Sequence, residues 1–331
     1  MNYYKSDRFQ GMWLGSIVGA ALEGNIAQSN KSEYETILHY QFSSWLQTRE
    51  LIAQRIIQEQ KLEAEYILEQ LSPLLTSLTN IQEPRTFTIF YINILLTLLP
   101  LIAFAEDNRD IYLKLKDRDN FQSLNIAEIE ADISVLTHLL ILALNNQFEP
   151  KDTNVSMMVK QVVDSIGVKT TSSSEKLKIV SQAEKHGSGL KQLTEKLCQT
   201  DNWHHNVMST ATGIISLSFY CFASTPRNFM LSVKRASNLS QSLSLPVTAL
   251  TATLSGAYNG VAGIPRTWRS ATSHNQSFQD TIDTVRQLHK TWLGIHHIND
   301  QDLLYDPQIH AVAVPRIIQF RQNLKIISQK F

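Results

Sequence analysis

The stretch Gly11-Met12-Trp13-Leu14-Gly15-Ser16-Ile17-Val18-Gly19-Ala20-Ala21-Leu22 decides how the rest of the chain is read. Its glycines recur every four residues, close to one helical turn, so Gly11, Gly15 and Gly19 share one face. Glycine costs a helix about 1 kcal/mol relative to alanine, and a row of them calls for a compensating contact. A second strip of the same kind is Ala252-xxx-Gly256-xxx-Gly260. Seven of the twelve glycines lie in these two neighbourhoods, at Gly11, Gly15, Gly19, Gly24, Gly256, Gly260 and Gly263. The spacing predicts two smooth helices packed backbone to backbone, and it is compatible with a ligand approaching bare backbone. Membrane helix dimers use the same spacing. Here the apolar run from Gly11 to Leu22 stops at Glu23, too short to cross a bilayer.

Outward from these strips the apolar residues keep a helical rather than an alternating period. Leu46, Leu51, Ile52, Ile56 and Ile57 form one stripe, and Ala127, Ile129, Ile133, Leu136 and Leu140 form another. Glu128 and Glu130 then fall on a first turn, where the helix dipole favours acid. Hairpin signals are missing: the one Asn-Gly, Asn259-Gly260, sits inside a small-residue apolar stretch. An all-α fold is expected, with no repeat of solenoid length.

Composition narrows the class. Thirty basic residues balance thirty acidic ones among 331, which argues against a nucleic-acid or anionic-membrane reader. Charged residues make up 18% and hydrophobic residues 43%, the opposite of a disordered chain. Cys198 and Cys221 form no CxxC pair or disulfide framework, and the N-terminus meets Asp7 before any apolar run, so a cytoplasmic protein without a signal peptide is expected. Phe87 to Ala105 is uncharged and just long enough to span. Asn93, Thr88, Thr97 and above all Pro100 favour a buried pair of helices instead, because proline ends one helix or opens the next. No membrane span is expected.

The most polar region runs from about Phe148 to Asp201, with Glu149-Pro150-Lys151-Asp152, the run Thr170 to Ser174, and His186-Gly187-Ser188-Gly189 separating short helices over Val159 to Ile166 and Ser174 to Ala183. Ser174 is expected to cap the second of these. The polar pieces have loop rather than linker length, which predicts one domain over 1–331 with a variable middle at about 148–201. After Asp306-Pro307 and Val314-Pro315, an amphipathic helix is expected from Pro315 through Ile317, Ile318, Phe320 and Leu324.

Asp7-Arg8-Phe9-Gln10-Gly11 through Leu22 resembles the opening DRFxGxxxGxAxGDALG of the ADP-ribosylglycohydrolases, the helical family that includes dinitrogenase reductase-activating glycohydrolase and crystallin J1. Gly256-Ala257-Tyr258-Asn259-Gly260-Val261-Ala262-Gly263-Ile264-Pro265-Arg266-Thr267-Trp268 resembles the family's GAxxGxxGIPxxW. Thr137-His138 is similar to its Thr-His element, and Pro100-Leu101 to the end of its NGxxMRxxP element. These pieces stand in family order over most of the chain. The resemblance implies a single compact helical bundle that cleaves ADP-ribosyl glycosidic bonds with two Mg²⁺ ions, and ligand-cleft candidates at Gly19, Thr48, Thr137, His138, Tyr258 and Gly263.

Hard cations of this kind need oxygen ligands, chiefly carboxylates. In the family's spacing the TDDT element falls on Trp45-Leu46-Gln47-Thr48, the DTDT element on Leu243-Ser244-Leu245-Pro246, and the aspartate of GDALG on Ala20. The NGxxMR element falls on Ile92-Asn93-Ile94-Leu95-Leu96-Thr97, without its glycine and arginine. The metal-ligand positions are thus Ala20, Leu46, Gln47, Leu243 and Leu245, and none carries a carboxylate. A carboxylate cluster without its ions is buried like charge, which apolar refilling relieves. No metal, no Mg²⁺ cofactor and no catalytic residue is expected.

Other chemistry-bearing residues do not substitute. His204-His205 and His296-His297 are adjacent pairs that diverge by about 100° on a helix, and His289 has no HExxH partner. Asp280 with Asp283, the group Asp300, Asp302 and Asp306, and Glu128 with Glu130 read as solvated faces and caps. Gly187-Ser188-Gly189 follows a helix rather than a strand, and no phosphate-loop or nucleophile-elbow pattern is present. Two readings follow: a degenerate family member that binds an ADP-ribose-like nucleotide or a protein partner, or an active hydrolase with a diverged ligand set.

Overall fold

The computed structural model describes residues 3–23, 44–59, 64–79, 84–104, 126–145, 148, 154–166, 172–198, 207–239 and 241–292. Every regular element among them is a helix, as the apolar period predicts. In chain order these are α1 (Tyr3–Glu23), α2 (Ser44–Glu59), α3 (Ala64–Thr79), α4 (Pro84–Thr97), α5 (Leu99–Phe104), α6 (Ile126–Leu144) and α7 (Val155–Ile166). They continue as α8 (Ser172–Lys185), α9 (Leu190–Cys198), α10 (Val207–Ala223), α11 (Phe229–Ser237), α12 (Gln241–Gly263), α13 (Arg266–His274) and α14 (Gln276–Trp292).

The two glycine helices, α1 and α12, form the axis and make the most extensive contact in the fold. Gly11 lies against Gly256 and Gly260, Gly15 against Ala252, and Gly19 against Thr248 and Ala249, so the helices run antiparallel. Around them, α10, α11, α6 and α4 pack on α12, while α14 and α2 close the α1 side. The core between is largely aliphatic, and Phe148, Phe219, Phe222 and Tyr258 form an aromatic knot in it at centroid distances of 5.7–6.4 Å.

Local chemistry sets the helix boundaries. In the uncharged run Phe87 to Ala105, α4 ends at Thr97, Leu98 turns, and α5 starts with Pro100 in its first turn, where the missing N–H is not needed. No helix among the described residues is long and apolar enough to cross a membrane. Among the described residues the polar middle contains three helices, α7, α8 and α9. The start of α7 is capped twice: Asn154 Oδ1 accepts from the Ser156 N–H at 2.7 Å, and Glu184 of α8 accepts from the Val155 and Ser156 N–H groups at 3.0 and 2.8 Å.

Three expectations change. Leu51 is 47% exposed, because α2 buries Leu46, Arg49, Ile52, Ala53 and Ile56, and position 51 falls off that face. Ser174 is not a cap: α8 begins at Ser172, which leaves Ser174 buried inside the first turn. Gly260 does not continue the smooth helical face, since its φ of 71° and ψ of −177° break α12 there. The helix expected from Pro315, the histidine pairs, and Asp300, Asp302 and Asp306 lie outside the described residues, as do the side chains of Ala127, Glu128, Ile129 and Glu130.

Candidate functional site

Tyr258 is buried on α12, and the Arg8 guanidinium lies 5.9 Å from its ring centroid. Arg8 Nη1 donates to the Leu144 carbonyl at 3.4 Å, so one side chain ties α1 to α12 and to the end of α6. Burial lowers the Arg8 pKa, opposed by Tyr258 and Asp7. Thr137 and His138 sit on α6 and turn back along it: Thr137 Oγ1 donates to the Ile133 carbonyl at 2.7 Å, and His138 Nδ1 meets the Ser134 carbonyl at 2.7 Å. One turn before them the buried Asp132 accepts from the Tyr91 hydroxyl at 2.7 Å.

The remaining candidates do not converge with these. Gly19 is covered by α12, with Thr248 and Ala249 against its α-carbon, whereas Gly263 is exposed at the opposite end of that helix. Thr48 is half-buried on α2. His289 is buried between Phe9 and Trp292, at ring distances of 5.3 and 5.8 Å. Asp283 is an exposed partner of Arg286 at 3.1 Å.

Among the described residues, a buried charge adjoins Thr48. Arg49 is fully buried, its guanidinium 4.6 Å from the Trp13 ring centroid and 5.4 Å from that of Trp45. Its Nη1 donates to Ser16 Oγ at 2.6 Å, and Ser16 Oγ in turn donates to the Trp13 carbonyl at 2.6 Å. Arginine suits this place because its planar, weakly hydrated cation stacks on indole rings. Beside it, burial pushes the Glu50 carboxyl above its ordinary pKa; the Thr284 hydroxyl, the Arg49 cation and the Thr281 hydroxyl oppose the rise, and Asp280 adds to it. Sequence reasoning passed over Arg49-Glu50. The available signal was a charged dipeptide within an apolar helical stripe, a position that needs buried partners.

Sequence comparison finds no family model and no curated protein that matches the chain. Comparison with solved structures does find a match, a protein described as an ADP-ribosylglycohydrolase-related protein complex. It is 15% identical, with a TM-score of 0.50, and the match covers 88% of this chain and 99% of that one. The chain has the ADP-ribosylglycohydrolase-related fold. At this identity the likeness is one of architecture.

Within that fold, the positions that the motif resemblance assigns to the metal ligands are apolar or neutral. Leu46 and Leu243 are each 1% exposed, Ala20 is buried, and Gln47 points to solvent; the side chain of Leu245 lies outside the described residues. Among the described residues no group of three or more His, Cys, Asp or Glu side chains could hold a metal ion. The buried Arg49 cation lies close to these positions in sequence. It follows Thr48 directly, and its partner Ser16 lies one turn before Ala20. These residues do not fit a Mg²⁺ pair, which needs carboxylate oxygens.

Proposed function

We propose that this chain is a single-domain protein of the ADP-ribosylglycohydrolase-related fold that does not hydrolyse ADP-ribosyl bonds, and that it acts in the cytoplasm by binding an ADP-ribose-like nucleotide or a protein partner. One observation carries the reading: Leu46, Leu243 and Ala20, which the motif resemblance assigns to metal-ligand positions, are buried apolar residues without a carboxylate. A leucine contributes about 1.5–3 kcal/mol when fully buried, so these positions support the fold rather than a metal. The buried thiols Cys198 and Cys221 accord with a reducing compartment.

Thermal unfolding with Mg²⁺, with ADP-ribose and with both tests this reading, since a ligand specific to the folded state raises stability by RT ln(1 + [L]/Kd). Mg²⁺ is expected to produce no shift, and ADP-ribosylated arginine or serine to remain intact. A shift with ADP-ribose alone supports a nucleotide-binding role; its absence directs the reading to a protein partner. Mg²⁺-dependent release of ADP-ribose overturns it in favour of an active hydrolase with a diverged ligand set.

A further inference from the structure

A pocket of about 200 Å³ opens where α1 meets α13 and α14. None of the positions assigned to a metal centre lines it, so its role is separate from the loss of hydrolysis. We propose that this pocket binds a small organic anion, a carboxylate on a compact apolar body, with Arg269 as the partner of the carboxylate.

Size sets the first limit. A cavity of about 150 Å³ holds a benzene molecule, so this one has room for a ring or branched chain plus a carboxylate. The lining sets the second. Leu14, Ile17 and Val285 supply an apolar wall, while Arg269 and Arg286 supply two guanidinium groups, and no carboxylate lines the pocket. An apolar cleft with a few placed polar groups is the usual form of a small-molecule site.

Two buried donors point to the kind of ligand. Trp13 is 1% exposed and forms part of the wall, yet its indole N–H has no acceptor among the described residues. Arg269 Nε is likewise buried without an acceptor. Buried N–H groups nearly always find an acceptor, so two such donors on one pocket call for an oxygen from outside. The local hydroxyls do not supply it: Thr272 and Ser273 lie against the Arg269 carbonyl, to which they donate at 2.8 and 2.9 Å, and neither oxygen accepts from the two N–H groups. Arg286 is committed to Asp283 at 3.1 Å, which leaves the Arg269 fork for one carboxylate.

The test is titration of the full chain with benzoate, with benzyl alcohol as the neutral counterpart and inorganic phosphate as an anion without an apolar body, read by calorimetry. Saturable binding of one benzoate per chain is expected, with benzyl alcohol at least tenfold weaker and phosphate silent. Arg269→Gln should weaken benzoate at least tenfold with unchanged circular dichroism. Ile282→Phe, which fills the pocket from a half-buried wall position, should block it. Absence of benzoate binding, equal binding of benzyl alcohol or phosphate, or indifference of benzoate to both substitutions overturns the assignment.

Discussion

Gly11 and Gly256 sit face to face, each α-carbon resting on the other's carbonyl group, so that a β-carbon on either would enter the partner's backbone. This reciprocal contact explains why two helices far apart in sequence each retain a residue that weakens a helix. Gly11→Ala and Gly256→Ala are therefore expected to destabilise the fold by about 2 kcal/mol or more, the upper part of the range for overpacking because backbone cannot rotate aside. Gly189→Ala, where no atom lies within 4 Å, should cost less, about 0.5–1 kcal/mol, because Gly189 precedes α9 and its carbonyl accepts the first helical bond from Leu193. Urea midpoints compare the three.

Arg49→Ala leaves an empty space between Trp13 and Trp45 and strips Ser16 Oγ of its donor. A loss of about 2–4 kcal/mol is expected, in the range for emptying a large buried site and removing its hydrogen bond. Tryptophan fluorescence should shift with it. Arg49→Lys should recover only part, because an ammonium does not stack on two rings as a guanidinium does.

Glu50 makes stability depend on pH. Its folded pKa is raised by burial, so the folded state holds the proton at pH values where the unfolded state has released it. Stability then falls as pH rises from the ordinary glutamate value of about 4.3 to the raised one, and the contribution present at lower pH is lost. Glu50→Gln should flatten this part of the profile and be most favourable above it. A profile unchanged by the substitution excludes Glu50 as its source.

Both cysteines should be inert in the folded protein. Burial pushes the Cys198 thiol up to about 11 and that of Cys221 up to about 12, with Lys176 and Arg235 respectively opposing the rise. Thiolate is the reactive form, so Ellman's reagent should titrate neither residue under native conditions and both in denaturant.

Leu243→Asp restores a carboxylate at a position the motif resemblance assigns to a metal ligand. Since Leu243 is 1% exposed, the substitution should cost several kcal/mol, and Mg²⁺ should not recover it. Recovery of thermal stability by Mg²⁺ alone is the contrary result.

Much of the fold was legible because its decisive signals are local. Pro100 marks the break between α4 and α5, and the glycine spacing marks α1 and α12. The error at Leu51 has a geometric origin: a stripe chosen by apolarity ignores which side of α2 is covered, and the buried face passes through Arg49 instead. Likewise Ser174, a good capping residue in isolation, became an interior position once α8 extended to Ser172.

By itself the sequence determined that this protein is helical, that two of its helices carry glycine strips suited to packing backbone to backbone, and that the residues matched to a metal centre lack carboxylates. Those properties depend on residue type and spacing within one segment. Tertiary structure alone decided that Arg49 lies between two indole rings, that Glu50 is drawn toward α14, and that Trp13, Arg269 and Arg286 share one pocket. These residues come from segments whose mutual placement depends on how α1, α2, α13 and α14 pack, and burial changes a charged group's energetics only after that packing has removed the water.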